Sequence, residues 1–309
     1  MPQFSFFFDN EDYELLRLLD EIQAKEKESR NLHTLLNPYM HPRGIKQLTS
    51  SRELRIAHAM IELLKSLETG KASERLQALR SVHDEVFAND QTGFKKNTAR
   101  ALLQIMKELV RSEDGGRRLE LAHDFRSTLS GKPRVVRAML RRYNLLEMPE
   151  AWNQIAFDDH VHDANTKGRK SPTHLIMDAW IKGIRSLTVI YYNHISPEAV
   201  REVLEAAEIM DVKVRIGVEF SPLLRDRRPH LIWIPRGFSD ASDFVAFLNE
   251  PVVRELMAAG EQLNLHNAGE VVASLENFNA KGRPQLSSRF GIELEPLLVG
   301  EFKSFVANA

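Results

Sequence analysis

Between residues 156 and 234, histidines and carboxylates stand at spacings that suit a metal site. His160 and His162 alternate, so on a strand both imidazoles leave from one face. Two imidazoles converging from a strand end are a natural start to a metal centre. Tyr192-Asn193-His194 directly follows a β-branched apolar run. Glu219 closes Gly217-Val218-Glu219, and His230 opens Leu231-Ile232-Trp233-Ile234. A carboxylate such as Glu219 can bridge two metal ions, which a lone imidazole cannot. Six of the eleven histidines fall between His160 and His266. The chain has no cysteine, which excludes a disulfide framework, a thiolate zinc site, an iron–sulfur cluster and a Cys nucleophile. Any metal must therefore be held by His and carboxylate, a donor set that suits Zn, Mn or Fe alike.

The elements that would carry these groups follow from the apolar pattern. Leu187-Thr188-Val189-Ile190-Tyr191 has the continuous character of a strand buried on both faces. Ser196-Pro197-Glu198 predicts a helix start, with the helix reaching Met210. Residues 212–218 and 231–234 read as further strands, 241–248 as a helix, and 262–265 as a fifth strand. Strand–helix alternation predicts a parallel α/β sheet or barrel, whose C-terminal strand ends share one rim. Before residue 150 the periodicity is helical, over 11–36, 52–67, 72–86, 98–111, 117–129 and 133–145. Asn37-Pro38 stops the first, and Gly70, Asn89, Gly93, Gly115-Gly116 and Gly131 break the others. The expected division is an all-helical domain over 1–150 and an α/β domain over 151–309, linked near Met148-Pro149-Glu150.

Composition agrees with that division. The 309 residues are 43% hydrophobic, which is room for two domains. Forty-two Lys and Arg against 43 Asp and Glu exclude a uniformly basic nucleic-acid coat and an acidic tail. No apolar stretch approaches the roughly 20 residues of a membrane span. The Phe6–Phe8 run lacks a preceding basic region, so the expectation is a cytoplasmic protein with no membrane contact.

The run from Asp158 to Ile234 resembles the PHP family, the polymerase and histidinol phosphatase metal-dependent phosphoesterases. Asp158-Asp159-His160-Val161-His162 is similar to the family's opening Asp-x-His-x-His. Ser171-Pro172 stands nine residues after His162, where the family starts its first helix. Tyr192-Asn193-His194 occupies the place of a Thr-Asp-His, Gly217-Val218-Glu219-Phe220-Ser221 that of Gly-x-Glu with a following Ser, and His230-Leu231-Ile232 that of the next strand. The resemblance covers about 80 residues well, by the order and spacing of five motifs. It implies a distorted (β/α)7 barrel and hydrolysis of a phosphate ester. His160 and His162 would bind a first metal, Glu219 would bridge to a second held by His230, and His194 would belong to a third. Read from the residues alone, Asp158 and Asp159 suit partners that orient the histidines, or one of them only caps the strand end. The substrate would be a phosphorylated small molecule or a nucleotide.

Three features depart from that pattern. Lys167-Gly168 stands where the family carries Asp-Gly, and a lysine there repels a cation but can bind phosphate directly. Asn193 replaces an Asp and loses its charge. No closing Asp-x-His follows His230; only His266 remains as a candidate ligand. The strands are too few to close a barrel, so the expectation is an incomplete barrel from the N-terminal part of a longer protein. A degenerate PHP module kept for binding, and an amidohydrolase-type barrel that also begins with His-x-His, are the alternatives. Arg225, Arg227 and Arg228, between Glu219 and His230, suit a phosphate or a solvated turn. His174, on a helix, is expected at the surface. Residues 91–144 carry thirteen Lys and Arg against five Asp and Glu, with Arg134, Arg137 and Arg141 on one helix face. That face would contact nucleic acid or a protein, or simply be solvated. Ser130-Gly131-Lys132 lacks the upstream glycine of a phosphate loop.

Overall fold

A computed structural model describes residues 8–24, 50–87, 94–150, 156–223, 225–298 and 300. The expected extension of the first helix to residue 36, the stop at Asn37-Pro38, and the breaks at Asn89 and Gly93 lie outside those residues. The chain forms two compact units. The first takes in the described parts of Met1–Asp159 with Ser171–Leu187 and Glu202–Val214, and the second His160–Lys170, Thr188–Arg201 and the described parts of Arg215–Ala309.

The first unit is mainly helical. Its helices are α1 (Asn10–Gln23), α2 (Arg52–Thr69), α3 (Ala72–Phe87), α4 (Lys95–Arg111), α5 (Gly115–Leu129) and α6 (Pro133–Arg142). Local chemistry explains their starts. Asp9 and Asp12 form a reciprocal capping box on α1, Ser51 caps α2, Asp114 caps α5, and Pro133 opens α6. The α2 and α3 helices pack as a hairpin, as do α4 and α5, while α1 lies against α2 and α5. Their inner faces bury Leu18, Ile56, Met60, Leu63, Leu79, Ile105 and Phe125 almost completely.

Next come β1 (Ala156–Val161), α7 (Pro172–Lys182), β2 (Ile184–Tyr192), α8 (Pro197–Met210), β3 (Lys213–Phe220) and β4 (Leu231–Trp233). The four strands make one small curled sheet in the order β1-β2-β3-β4. Helical crossovers join the first three. Ala156 N–H donates to Gly183 O at 3.4 Å, and His162 pairs with Ile190 O, so starts meet starts and ends meet ends. These strands therefore run parallel.

The structure corrects the expected all-parallel sheet at its last strand. β4 pairs antiparallel with β3, with Glu219 opposite Ile232 and Phe220 opposite Leu231. The segment between them contains no helix, and parallel pairing needs a longer crossover. A second correction concerns residues 262–265. They lie in α10 (Pro251–Asn277), after α9 (Ala241–Leu248), not in a fifth strand. A short apolar run does not by itself separate strand from helix. A π-helical turn (Phe278–Gly282) then leads into α11 (Arg283–Phe290). No helix among the described residues is long and apolar enough to cross a membrane.

Candidate functional site

The expected site residues all fall in the second unit except Asp158 and Asp159. His160 and His162 stand at the end of β1, with Nε2 atoms 3.2 Å apart. His162 Nδ1 lies 2.8 Å from Ile190 O. A carbonyl only accepts, so this ring nitrogen carries the proton and Nε2 keeps its lone pair. Burial lowers the pKa of His162, and the nearby Lys167 and His160 charges lower it further against the Ile190 bond. The ring is therefore held neutral, the form that ligates metal.

Glu219, at the end of β3, offers one oxygen to each of two histidines. Its Oε1 is 3.0 Å from His230 Nδ1, and its Oε2 is 3.5 Å from His160 Nε2. Oε2 is buried and has no hydrogen-bond partner. Ser221 Oγ lies 3.3 Å from His230 Nδ1 and steadies the same ring. The carboxylate fixes the His230 proton on Nδ1, which leaves Nε2 of that ring as an acceptor too.

These contacts form a string: His162, His160, Glu219, His230. No group of three or more His, Cys, Asp or Glu among the described residues is gathered to hold a metal ion as it stands. The separation of the two imidazole nitrogens is one that ligands of a shared ion can have. Two nitrogens held tetrahedrally at the usual zinc–nitrogen distance lie about 3.3 Å apart. The His160 and His162 pair meets that spacing, and the orphaned Glu219 Oε2 stands beside it. The His160 and His230 side chains are 45% and 75% exposed. His160, His162 and Glu219 are donors of the kind a divalent cation accepts, two imidazoles and a carboxylate.

The other expected residues are placed differently. Asp159 alternates to the face of β1 opposite His160, whereas Asp158 shares the histidine face. Lys167 lies with its Nζ 5.2 Å from the centre of the Tyr192 ring, and that ring is 5.0 Å from His162. A hydrogen bond with Tyr192 raises the Lys167 pKa, which keeps the ammonium charged beside the histidines. Asn193 adopts a left-handed backbone with φ 60°, a conformation Asn tolerates better than most residues. Its Nδ2 donates to Asn264 Oδ1 at 2.9 Å, so the amide serves as a clip. His194 Nδ1 donates to Met257 O at 3.1 Å, again leaving Nε2 as an acceptor. His266 is an exposed residue of α10. His174, expected at the surface, is only 14% exposed beside Asp178, because α7 is buried on that side.

Sequence reasoning missed the residues that hold these groups in place. Asp163 is fully buried and accepts from Tyr191 Oη at 2.7 Å and from Asn165 N–H at 2.8 Å. It pins the loop that carries Lys167. Gly168 packs so closely that a Cβ there would lie 2.2 Å from His162 O. On α10, Met257, Gly260 and Asn264 share one face and meet the 192–195 turn. Asn264 Nδ2 also donates to Tyr192 O at 2.9 Å. Asp163-Ala164-Asn165 is a recognisable turn signal, and a glycine inside a helical pattern is a sign of close approach. No family model, curated protein or solved structure matches the chain.

Proposed function

We propose that the chain is a metal-dependent phosphoesterase, its curled sheet being the first part of a PHP-like barrel. The observation that carries this reading is the spacing of His160 Nε2, His162 Nε2 and Glu219 Oε2, with the His162 proton fixed on the far nitrogen. His160, His162 and Glu219 would hold a divalent Zn, Mn or Fe ion, and His230 and His194 would support further sites. A bound ion supplies Lewis acidity toward a phosphoryl oxygen and lowers the pKa of water.

The chain's own residues have separate tasks. Ile190 O orients His162, and Glu219 Oε1 orients His230. Outer partners of this kind hold a ligand's ring angle and tautomer. Lys167 presents a charged ammonium beside the same cluster, where an ester's phosphate oxygens would lie. Tyr192 carries that ammonium and separates it from His162.

Metal content of the purified chain, measured by plasma mass spectrometry, tests the reading. At least one transition metal per chain is expected, lost in His160→Ala/His162→Ala and in Glu219→Gln. Hydrolysis of a generic phosphate monoester should disappear with it. Equal metal content in wild type and variants would overturn the proposal.

A second reading, a binding module without turnover, draws on one observation. Asn193 and Lys167, at positions where the family carries aspartates, have side chains engaged with Asn264 and Tyr192. Bound metal with no hydrolysis of any phosphate ester would favour it.

A further inference from the structure

The last three residues of β2 each hold one residue of the loop that follows β1. Ile190 O accepts from His162 Nδ1 at 2.8 Å. Tyr191 Oη donates to Asp163 Oδ2 at 2.7 Å, and both residues are buried. The Tyr192 ring centre lies 5.0 Å from that of His162 and 5.2 Å from Lys167 Nζ. Successive side chains of a strand project to opposite faces. Tyr192 therefore stands on the face of β2 that meets His162 and Lys167, and Tyr191 reaches Asp163 on the other, buried face.

Asp163 turns that buried contact into a shape for the loop. Its Oδ1 accepts from Asn165 N–H at 2.8 Å, an Asx-turn. Its main-chain O accepts from Thr166 N–H at 3.1 Å and from Gly168 N–H at 2.9 Å. Lys167 is thus bracketed by two residues that both bond to Asp163. Gly168 packs into the same turn, where a Cβ would lie 2.2 Å from His162 O. Ala164 N–H donates to Lys170 O at 2.8 Å and closes the loop.

We infer that Asp163, held by Tyr191, is a positioning residue for the binding of the substrate's phosphate. It sets where Lys167 stands beside His162, and so how well the ammonium meets phosphate oxygens. Lysine is a point charge on a flexible stem, so its reach depends on where its backbone is held. A buried bond suits that task, because water does not compete for it and the low dielectric strengthens it. This inference rests on the proposed phosphoesterase site and concerns how that site takes phosphate.

Calorimetry of inorganic phosphate binding to the purified full chain tests it, in a double-mutant cycle. Lys167→Met should weaken phosphate about tenfold, the scale of one charge-assisted contact. Tyr191→Phe removes only the hydroxyl that holds Asp163 and keeps the buried ring, and thermal unfolding checks that it folds. It should weaken phosphate about fivefold. The double variant should bind no more weakly than Lys167→Met, because the Tyr191 effect travels through the ammonium. In turnover of p-nitrophenyl phosphate, Tyr191→Phe should raise KM about fivefold with kcat and metal content kept. Wild-type affinity in Tyr191→Phe, or a loss that adds in full to that of Lys167→Met, would overturn the inference. Metal-dependent turnover without the Tyr191–Lys167 coupling sinks this inference alone. The coupling without bound metal sinks the phosphoesterase reading and leaves a phosphate-binding loop. No phosphate binding by the wild type overturns the inference, and with metal absent as well it overturns both.

Discussion

Charged groups are handled in opposite ways in the two units. In the first, several are buried and answered by ion pairs. Glu202 is 3% exposed, and its carboxylate receives Arg75 at 2.6 and 2.7 Å and the Thr173 hydroxyl at 2.7 Å. Asp12 is fully buried against Arg126 at 2.7 Å. Arg100 is buried, donates to Ile181 O, Leu146 O and Asn97 Oδ1, and has its pKa lowered by burial to about 10. In the second unit, the groups that could do chemistry stand at strand ends, partly exposed, with acceptor atoms left over. A fully answered ion pair has nothing left to bind with. An imidazole such as His162, whose proton is fixed on its far nitrogen by Ile190 O, keeps an acceptor free. The contrast separates groups that hold a fold together from groups that keep acceptor atoms free.

The strongest way to break this contrast is to remove one partner in each unit. Arg75→Ala leaves the Glu202 carboxylate buried without its cation, and that loss should cost about 3 kcal/mol or more. Thermal or urea unfolding of the full chain checks it. Glu219→Gln should change stability by less than about 1 kcal/mol, because the histidines its carboxylate meets are 45% and 75% exposed. If Glu219→Gln proved as damaging as Arg75→Ala, Glu219 would be a structural group and the comparison would fail.

Gly260→Ala comes next. A Cβ at 260 would lie 1.8 Å from Asn193 O, so the α10 helix and the 192–195 turn must move apart. Overpacking of this kind costs about 1–3 kcal/mol. It should also disturb the His194 bond to Met257 O. A stability loss without any change in metal binding would show that this clip serves the fold and not the site.

Acid sharpens the contrast further. Burial pushes the Glu202 carboxyl up, but its bonds from Arg75 and Thr173 outweigh burial and hold it below the usual value near 4.5. A depressed carboxylate contributes stability that is present above the unfolded pKa and lost as pH falls through the folded one. Stability of the wild type should therefore decline as pH drops below about 4.5, the ordinary glutamate range. Glu202→Gln should flatten that part of the curve. An unchanged slope would show that other carboxylates govern it.

Much of this was legible in the residues. The helix starts near Arg52 and Pro133, the strands through Leu187 and Val214, and the helix from Pro197 follow from helical spacing, prolines and β-branched runs. The His160, His162 and Glu219 grouping follows from period-two alternation and strand ends. The antiparallel β4 did not show, because hydropathy records burial and not strand direction. The α10 segment around Leu263 and Leu265 misled because its apolar residues are exposed, at 44% and 62%, and obey no core period. Asp163 and Asn264 escaped notice because polar residues that hold loops in place look like any others until their partners are known.

The smallest effect belongs to the exposed basic face of α6. Arg137 lies 2.9 Å from both oxygens of Glu147, with side chains 49% and 42% exposed, and its guanidinium sits 5.4 Å from the centre of the Phe94 ring. An exposed ion pair contributes at most about 1 kcal/mol. The stacked guanidinium and its alkyl stem cover Phe94 by packing, which salt does not screen. Arg137→Ala should therefore cost less than about 1 kcal/mol, with only part of the loss disappearing at high ionic strength. A loss abolished entirely by salt would make Arg137 purely ionic. A loss as large as that of Arg75→Ala would show that a surface pair here behaves like a buried one, and that exposure does not separate the two kinds of charge in this molecule.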